Sequence, residues 1–356
     1  MTLFKTILSR RLPVWLALLS LPALSCGTSL AKNEGATAIQ AKIDSAFAQL
    51  FHGERMDEAI YFSAGTNASG ALAYIKDLAN ADVRSEGMSY GLMIAGRLDK
   101  KTEFDALWNW AKTFMYHGAT DHPALGFFSW SLNTDGVAND GLPAPDGEQY
   151  FAMALYFAEN RWGHCKGIYN YRLEADALLD HLKNREPITG TTVKGSLTAG
   201  TIFSPAEKLV RFTPDTTNWN HTVPSSQLPA FYKLRSCWGS KKERMFWAEA
   251  ATASHDFFSR TAHLTTGLAP DYASFDGTPS AAPWNPHSAN FQYDSGRTAM
   301  NAVTSLPATD AVRAKKFVAA LGQAPVPSGS CRYYDRVLYL LSLLHCSGEF
   351  KILQPQ

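Results

Sequence analysis

An all-α architecture, built from helical hairpins arranged as a ring or toroid, is the fold class this sequence predicts. Amphipathic segments with helical spacing recur at about 37–51, 85–98, 102–116, 146–160, 171–184, 241–260, 291–305, 309–322 and 332–346. Loops rich in Pro, Asn, Asp and Gly separate them and hold much of the polar chemistry. One strand-like piece stands out, Gly126 to Leu132, which the turn Asn133-Thr134-Asp135-Gly136 folds into a small hairpin on the loop side.

Taken in order, the chain opens with Lys5, Arg10 and Arg11, then an apolar run from Leu12 to Leu24, then small residues ending Ser29-Leu30-Ala31. Those are the three regions of a secretory signal, so residues 1–31 are expected to be removed and the mature chain to be secreted or periplasmic. Lipid attachment at Cys26 is the lesser reading, because Ala-Leu-Ser before it matches the attachment box poorly. No later stretch reaches the roughly 18 uninterrupted apolar residues of a membrane span. Residues 32–356 carry no Ser/Gly-rich or Pro-rich linker and no change in composition, and they read as one domain with a single large core.

Composition excludes some partners. A formal net charge of +1 without charge runs or basic stripes argues against nucleic acid or an anionic membrane as the main partner, and a neutral ligand fits better. Aromatic residues make up 12% of the chain and nine of them are Trp, which suits a protein that stacks sugar rings but also builds ordinary cores. Beyond the signal lie Cys165, Cys237, Cys331 and Cys346, whose spacing fits no metal site. An oxidising compartment would permit any of three disulfide pairings among them.

Three acidic residues stand at helix starts. Asp146 follows Pro143-Ala144-Pro145, a rigid approach to the apolar helix ending near residue 160. Glu86 lies in Arg84-Ser85-Glu86-Gly87-Met88, and Asp294 in Gln292-Tyr293-Asp294-Ser295-Gly296-Arg297. Each has an ordinary local role open to it: Asp146 with Gln149 as a capping box, Glu86 facing a helix dipole, Asp294 paired with Arg297. Jointly they suggest one mouth lined by carboxylates. Glu86, among apolar neighbours, is expected to keep its proton, whereas Asp294 beside Arg297 is expected to ionise. Aromatic residues placed to stack a sugar are Trp130 and Tyr150 beside the acids, then Trp219, Tyr232, Trp284 and Tyr334.

The runs Ser85-Glu86-Gly87-Met88-Ser89-Tyr90-Gly91, Trp130 to Gly136, Asp146 to Leu155, Arg161-Trp162-Gly163, and Arg332-Tyr333-Tyr334-Asp335 through Gly348 resemble glycoside hydrolase family 8, in order from about residue 40 to residue 352. The likeness is closest to its xylanase branch, which holds endo-xylanases and reducing-end xylose-releasing exo-oligoxylanases. That resemblance implies an (α/α)6 barrel and cleavage of β-1,4-xylosidic bonds with inversion, with reducing-end release of xylose slightly ahead of endo cleavage. It implies no metal or organic cofactor, and xylo-oligosaccharide as the ligand of a monomer. Matched residue by residue, Glu86 takes the place of the general acid, Asp294 of the general base, and Asp146 of the acid holding the sugar at the scissile bond. Trp130, Tyr150, Trp219, Tyr232, Tyr334 and Arg297 are the expected substrate contacts.

Two departures accompany the likeness. Val223 and Ser226 stand where the family usually has Asp and Tyr, the Tyr being one that helps hold the attacking water. Further, Ala299-Met300-Asn301 follows directly on Asp294 to Thr298, where the family inserts additional helices, so part of the C-terminal helical pairs is expected to be missing. Another β-glucanase activity, or an impaired homologue that binds oligosaccharide without turnover, are the alternatives.

Overall fold

The computed structural model describes residues 36–305 apart from Met56. Helix α1 (Ala36–His52) turns Ile43, Phe47, Leu50 and Phe51 into the core, the spacing of one helical face. A hairpin follows, β1 (Tyr61–Asn67) against β2 (Gly70–Ile75), tied to the next layer by Asn67, whose amide donates to Asn109 and Thr113.

Helix α2 (Ser85–Arg97) is buried along its entire length, and α4 (Pro145–Trp162) from Pro145 to Ala158. Helices without a wet face belong to the middle of a core, and these two pack along one another. Between them in sequence come α3 (Lys101–Trp110), extended by a wider turn over Ala111–Met115, and a small sheet. In that sheet β4 (Ser131–Leu132) lies between β3 (Val83–Arg84) and β5 (Ala138–Asp140), all antiparallel. Because β3 runs straight into α2, the sheet fixes where α2 begins. Glu148 fastens the same region from below: fully buried, it accepts the Phe128 N–H at 2.8 Å.

The remainder comprises α5 (Tyr171–Asn184), the hairpin of β6 (Ile188–Thr192) with β7 (Gly195–Ala199), and the pair β8 (His221–Thr222) with β9 (Ala273–Ser274). Helices α6 (Pro229–Trp238), α7 (Arg244–Thr261) and α8 (Ser295–Ser305) complete it.

The expected helices within the described residues are present, but the chain is less purely helical than the periodicity predicted. The hairpins at 61–75 and 188–199 are additions to the expectation; β1 is mostly exposed and β6–β7 is rich in Thr and Gly, so neither shows the alternation that marks a half-buried strand. Helix α6 was also not anticipated. It is short, opens on Pro229, and buries Arg235 together with Phe231, Tyr232 and Trp238, so a charged residue interrupts its apolar face. The expected helix at 291–305 starts at Ser295, since Tyr293 holds a φ of 40° that a helix cannot accommodate. The strand expected at 126–132 is confined to Ser131–Leu132. The segments 309–322 and 332–346 lie outside the described residues, as do Tyr334, Cys331 and Cys346. Cys165 and Cys237 are exposed free thiols. Among the described residues no helix is long and apolar enough to cross a membrane.

Candidate active site

The first turns of α2 and α4 meet, and a glycine makes the approach possible. A Cβ on Gly147 would lie 2.5 Å from Ser85 Oγ, 2.9 Å from Ser85 Cβ and 3.1 Å from the Ser85 carbonyl carbon. Only hydrogen fits there, so Glu86 and Asp146, each next to one of these residues, are brought to the same place. Pro145 starts α4 without an N–H that needed a partner, as expected for N1. Asp146, however, does not cap its own helix: the N-cap is Ala144 and no side chain bonds the free amides.

Asp146 is engaged across the core instead. The Arg297 guanidinium, 5% exposed, donates through Nη1 to Asp146 Oδ2 and, at 2.6 Å, to the Tyr90 hydroxyl. Its Nη2 lies 2.7 Å from Asp294 Oδ2. Tyr90 Oη is itself 3.4 Å from Asp146 Oδ2. One arginine therefore joins two of the three predicted acids, and it does so with the fork geometry that lysine lacks. The i, i+3 ion pair of Asp294 with Arg297 also exists, so the local role and the collective one hold together. Tyr90, one helical turn after Glu86, was not singled out from the sequence, though the i, i+4 spacing on α2 puts both on one face.

Electrostatics separates the carboxyl groups. Burial, then the nearby charges of Asp146 and Asp294, push Glu86 up to about 8 despite the pull of Arg297. Glu86 is thus a protonated acid at neutral pH, as expected, with Ser85 Oγ 3.3 Å from its Oε2. Asp294 is also pushed above the ordinary carboxylate value, by burial first and by Asp146, while Arg297 and Arg84 pull it back. Its side chain is 39% exposed, so water reaches it and moderates the push. A proton-bearing Glu86 and a water-accessible Asp294 bonded to a cation can perform complementary proton transfers. Burial keeps Tyr150 a phenol, its group pushed up to about 12.

The predicted aromatic contacts divide. Trp130 is half-buried, with the Arg84 guanidinium 5.3 Å from its ring centre, and its carbonyl receives the Ser85 N–H at 2.9 Å, directly beside Glu86. Tyr150 packs edge-on to Tyr90 and Phe231 with 8% of its surface left open. Trp219 is half-buried under Arg211. Tyr232 corrects the expectation: it has no exposed surface and is wedged between Phe203 and Trp247, so it has no ring face to offer a sugar. Trp284 is 45% exposed and stacked on Phe212. Ser226 lies buried in a tight turn, where its carbonyl accepts from Gln149 Nε2 at 2.8 Å.

A buried protonated carboxyl close to a water-accessible carboxylate, on a mainly helical scaffold with Trp130 and Tyr150 beside them, has the outline of a helical glycosidase. The Glycosyl hydrolases family 8 model matches residues 65–322, and the chain belongs to that family. It is 34% identical to a reducing end xylose-releasing exo-oligoxylanase of Halalkalibacterium halodurans, covering 89% of this chain and 92% of that protein. That alignment runs over 374 positions, more than the 356 residues present here, so gaps fall in this chain. The solved structure of a family 8 xylanase catalytic mutant from Teredinibacter turnerae, in complex with xylohexaose, superimposes with a TM-score of 0.83 at 44% identity, over 92% of this chain and 97% of that one. Endoglucanase C of Ruminiclostridium cellulolyticum is more distant, at 26% identity over 66% of this chain.

Proposed function

We propose that this protein is an inverting glycoside hydrolase that cleaves β-1,4-xylosidic bonds of xylo-oligosaccharides and releases xylose from the reducing end. The observation that carries the chemistry is that Arg297 bonds both Asp146 and Asp294 while Glu86, beside them, is buried and holds its proton. The choice of sugar follows the relatives, which include three exo-oligoxylanases of this kind.

In the reaction, Glu86 gives its proton to the glycosidic oxygen as the bond to the anomeric carbon breaks. Asp294 takes a proton from the water that attacks that carbon from the opposite face, and the product carries the inverted configuration. Asp146, fixed by Arg297 and Tyr90, accepts hydroxyl groups of the sugar at the scissile bond. Trp130 and Tyr150 supply apolar faces for neighbouring rings. Endo cleavage of xylan is the second reading, because the 44% identical structure is that of a xylanase holding xylohexaose. The same proposal includes residues 32–356 as one catalytic domain of (α/α)6 type with part of its C-terminal helical pairs absent, and residues 1–31 as a signal that exports it to the periplasm or beyond.

The test is incubation of the purified mature chain with xylotriose to xylohexaose and with cello-oligosaccharides, reading products and first-formed anomers by proton NMR. Xylose released with inverted configuration supports the reading; mixed internal products favour endo action. Retained configuration, or binding of the sugars without products, would overturn it.

A further inference from the structure

A carboxyl group with no part in the chemistry above lies behind the segment that carries Asp294. Asp271, 3% exposed, precedes β9, and its N–H donates to the Asn290 carbonyl at 2.9 Å while the next N–H, of Tyr272, donates to Ser288 at 2.8 Å. Its backbone therefore runs beside the stretch leading to Asp294. The side chain continues the attachment: Asp271 Oδ2 is 3.4 Å from Asn285 Nδ2 and 3.5 Å from Gln292 Nε2, and Gln292 Nε2 also donates to Asn285 Oδ1 at 3.1 Å.

Gln292 is where this contact reaches the site. Its N–H donates to Ser295 Oγ at 2.8 Å, and the Ser295 N–H returns to its carbonyl at 2.9 Å, closing the turn that starts α8. Asp294 sits inside that turn, next to Tyr293 with its positive φ of 40°, so the aim of its carboxyl depends on the turn staying closed. Asp271 Oδ1 is enclosed and has no hydrogen-bond partner among the described residues.

The charged and titratable groups that act on Asp271 are Asp294 and Arg297 from the α8 turn, with the Tyr272 phenol beside it. None of the ion pairs among the described residues involves Asp271. Burial first, then Asp294, push Asp271 up to about 7, against smaller pulls from Gln292 and Arg297. An enclosed carboxyl group without a cation is tolerable only while it is neutral.

We propose that Asp271 is a positioning residue for Asp294: a buried carboxylic acid that ties Asn285 and Gln292 together and keeps closed the turn on which Asp294 sits. This rests on the reading of Asp294 as general base. Once Asp271 ionises, the enclosure must admit water or open, and the turn loosens. Two proton losses, from Asp271 and from Glu86, then shape the alkaline side of the activity profile.

The experiment compares the parent with Asp271→Asn and Asp271→Leu. It measures kcat and KM on xylo-oligosaccharides from pH 5 to 9, alongside a carbon-13 carboxyl NMR titration of the free protein with Asp271→Asn and Asp294→Asn as assignment controls. The Leu variant is expected to lose about 30-fold in kcat with KM within about threefold, and the Asn variant to recover most of that loss. The Asn variant should also flatten the alkaline limb from two protons to one, and Asp294→Asn should lower the titration of Asp271. Equal losses in both variants with an unchanged profile, or no carboxyl titrating near neutrality at Asp271, would overturn the proposal. The NMR reading needs no turnover, so a chain that hydrolyses no xylan would defeat the functional reading while Asp271 and Asp294 are still judged by their coupling.

Discussion

Replacing Glu86 by Gln removes a charge that the structure resists, and the consequence for stability can be worked out separately from catalysis. Glu86 has an ordinary value of 4.5 and is held at about 8 in the fold, chiefly because it is buried. A carboxyl raised on folding contributes its full stability below the unfolded value and loses it as pH rises toward the folded one. Between pH 4.5 and 8 the unfolded chain has given up this proton and the folded chain has not. Each pH unit in that window costs about 1.4 kcal/mol, so the loss has a ceiling of about 5 kcal/mol at pH 8. Coupling to Asp146 and Arg297 brings the expectation down to about 2–4 kcal/mol. Gln fills the same space and never ionises. Glu86→Gln should therefore match the parent near pH 4 and exceed it by that margin near pH 8 in urea or thermal unfolding, while hydrolysis falls by at least about 10³-fold with sugar binding kept. A variant no more stable than the parent at pH 8 would show that Glu86 does not hold its proton there. Retained turnover would remove it from the acid role.

Other perturbations probe the neighbouring parts. Gly147→Ala forces a methyl into Ser85, so unfolding free energy should drop by about 1–3 kcal/mol with a lower Tm and reduced kcat, measured by calorimetry and steady-state kinetics. Arg297→Lys keeps the charge but gives up the fork that bonds Asp146, Tyr90 and Asp294; an expected loss of about 10²-fold or more in kcat/KM would be refuted by near-parental activity. Trp130→Ala should raise KM about tenfold with kcat little changed, which isothermal titration with an inactive Glu86→Gln background can check. In the parent, kcat/KM should decline as pH rises through about 8, where the free enzyme loses the Glu86 proton, and in the residual activity of Glu86→Gln that limb should shrink to the single Asp271 step.

Local signals determined much of this protein. Apolar spacing placed helices α1 to α5, α7 and α8 near their observed ranges, because buried faces impose a period that survives any tertiary arrangement. Pro143 and Pro145 marked the entry of α4, and apolar neighbours foretold the raised value of Glu86. The sequence runs around Glu86, Asp146 and Trp130 carry the family likeness by themselves.

What pairs with what belongs to the tertiary structure alone. No local rule could say that Asp146 would leave its helix cap to bond Arg297, which is 151 residues away, or that Tyr90 would complete the contact. Nor could composition distinguish Tyr232, sealed between Phe203 and Trp247, from Trp130, open beside the acid; the two are equivalent aromatics until the core is packed around one of them. The same holds for Asp271, an ordinary Asp in sequence that becomes a buried carboxyl behind Asp294 only once the 285–295 segment folds over it. Helical periodicity is written in neighbours, whereas the charge state of a carboxyl depends on how much water is excluded by residues far along the chain.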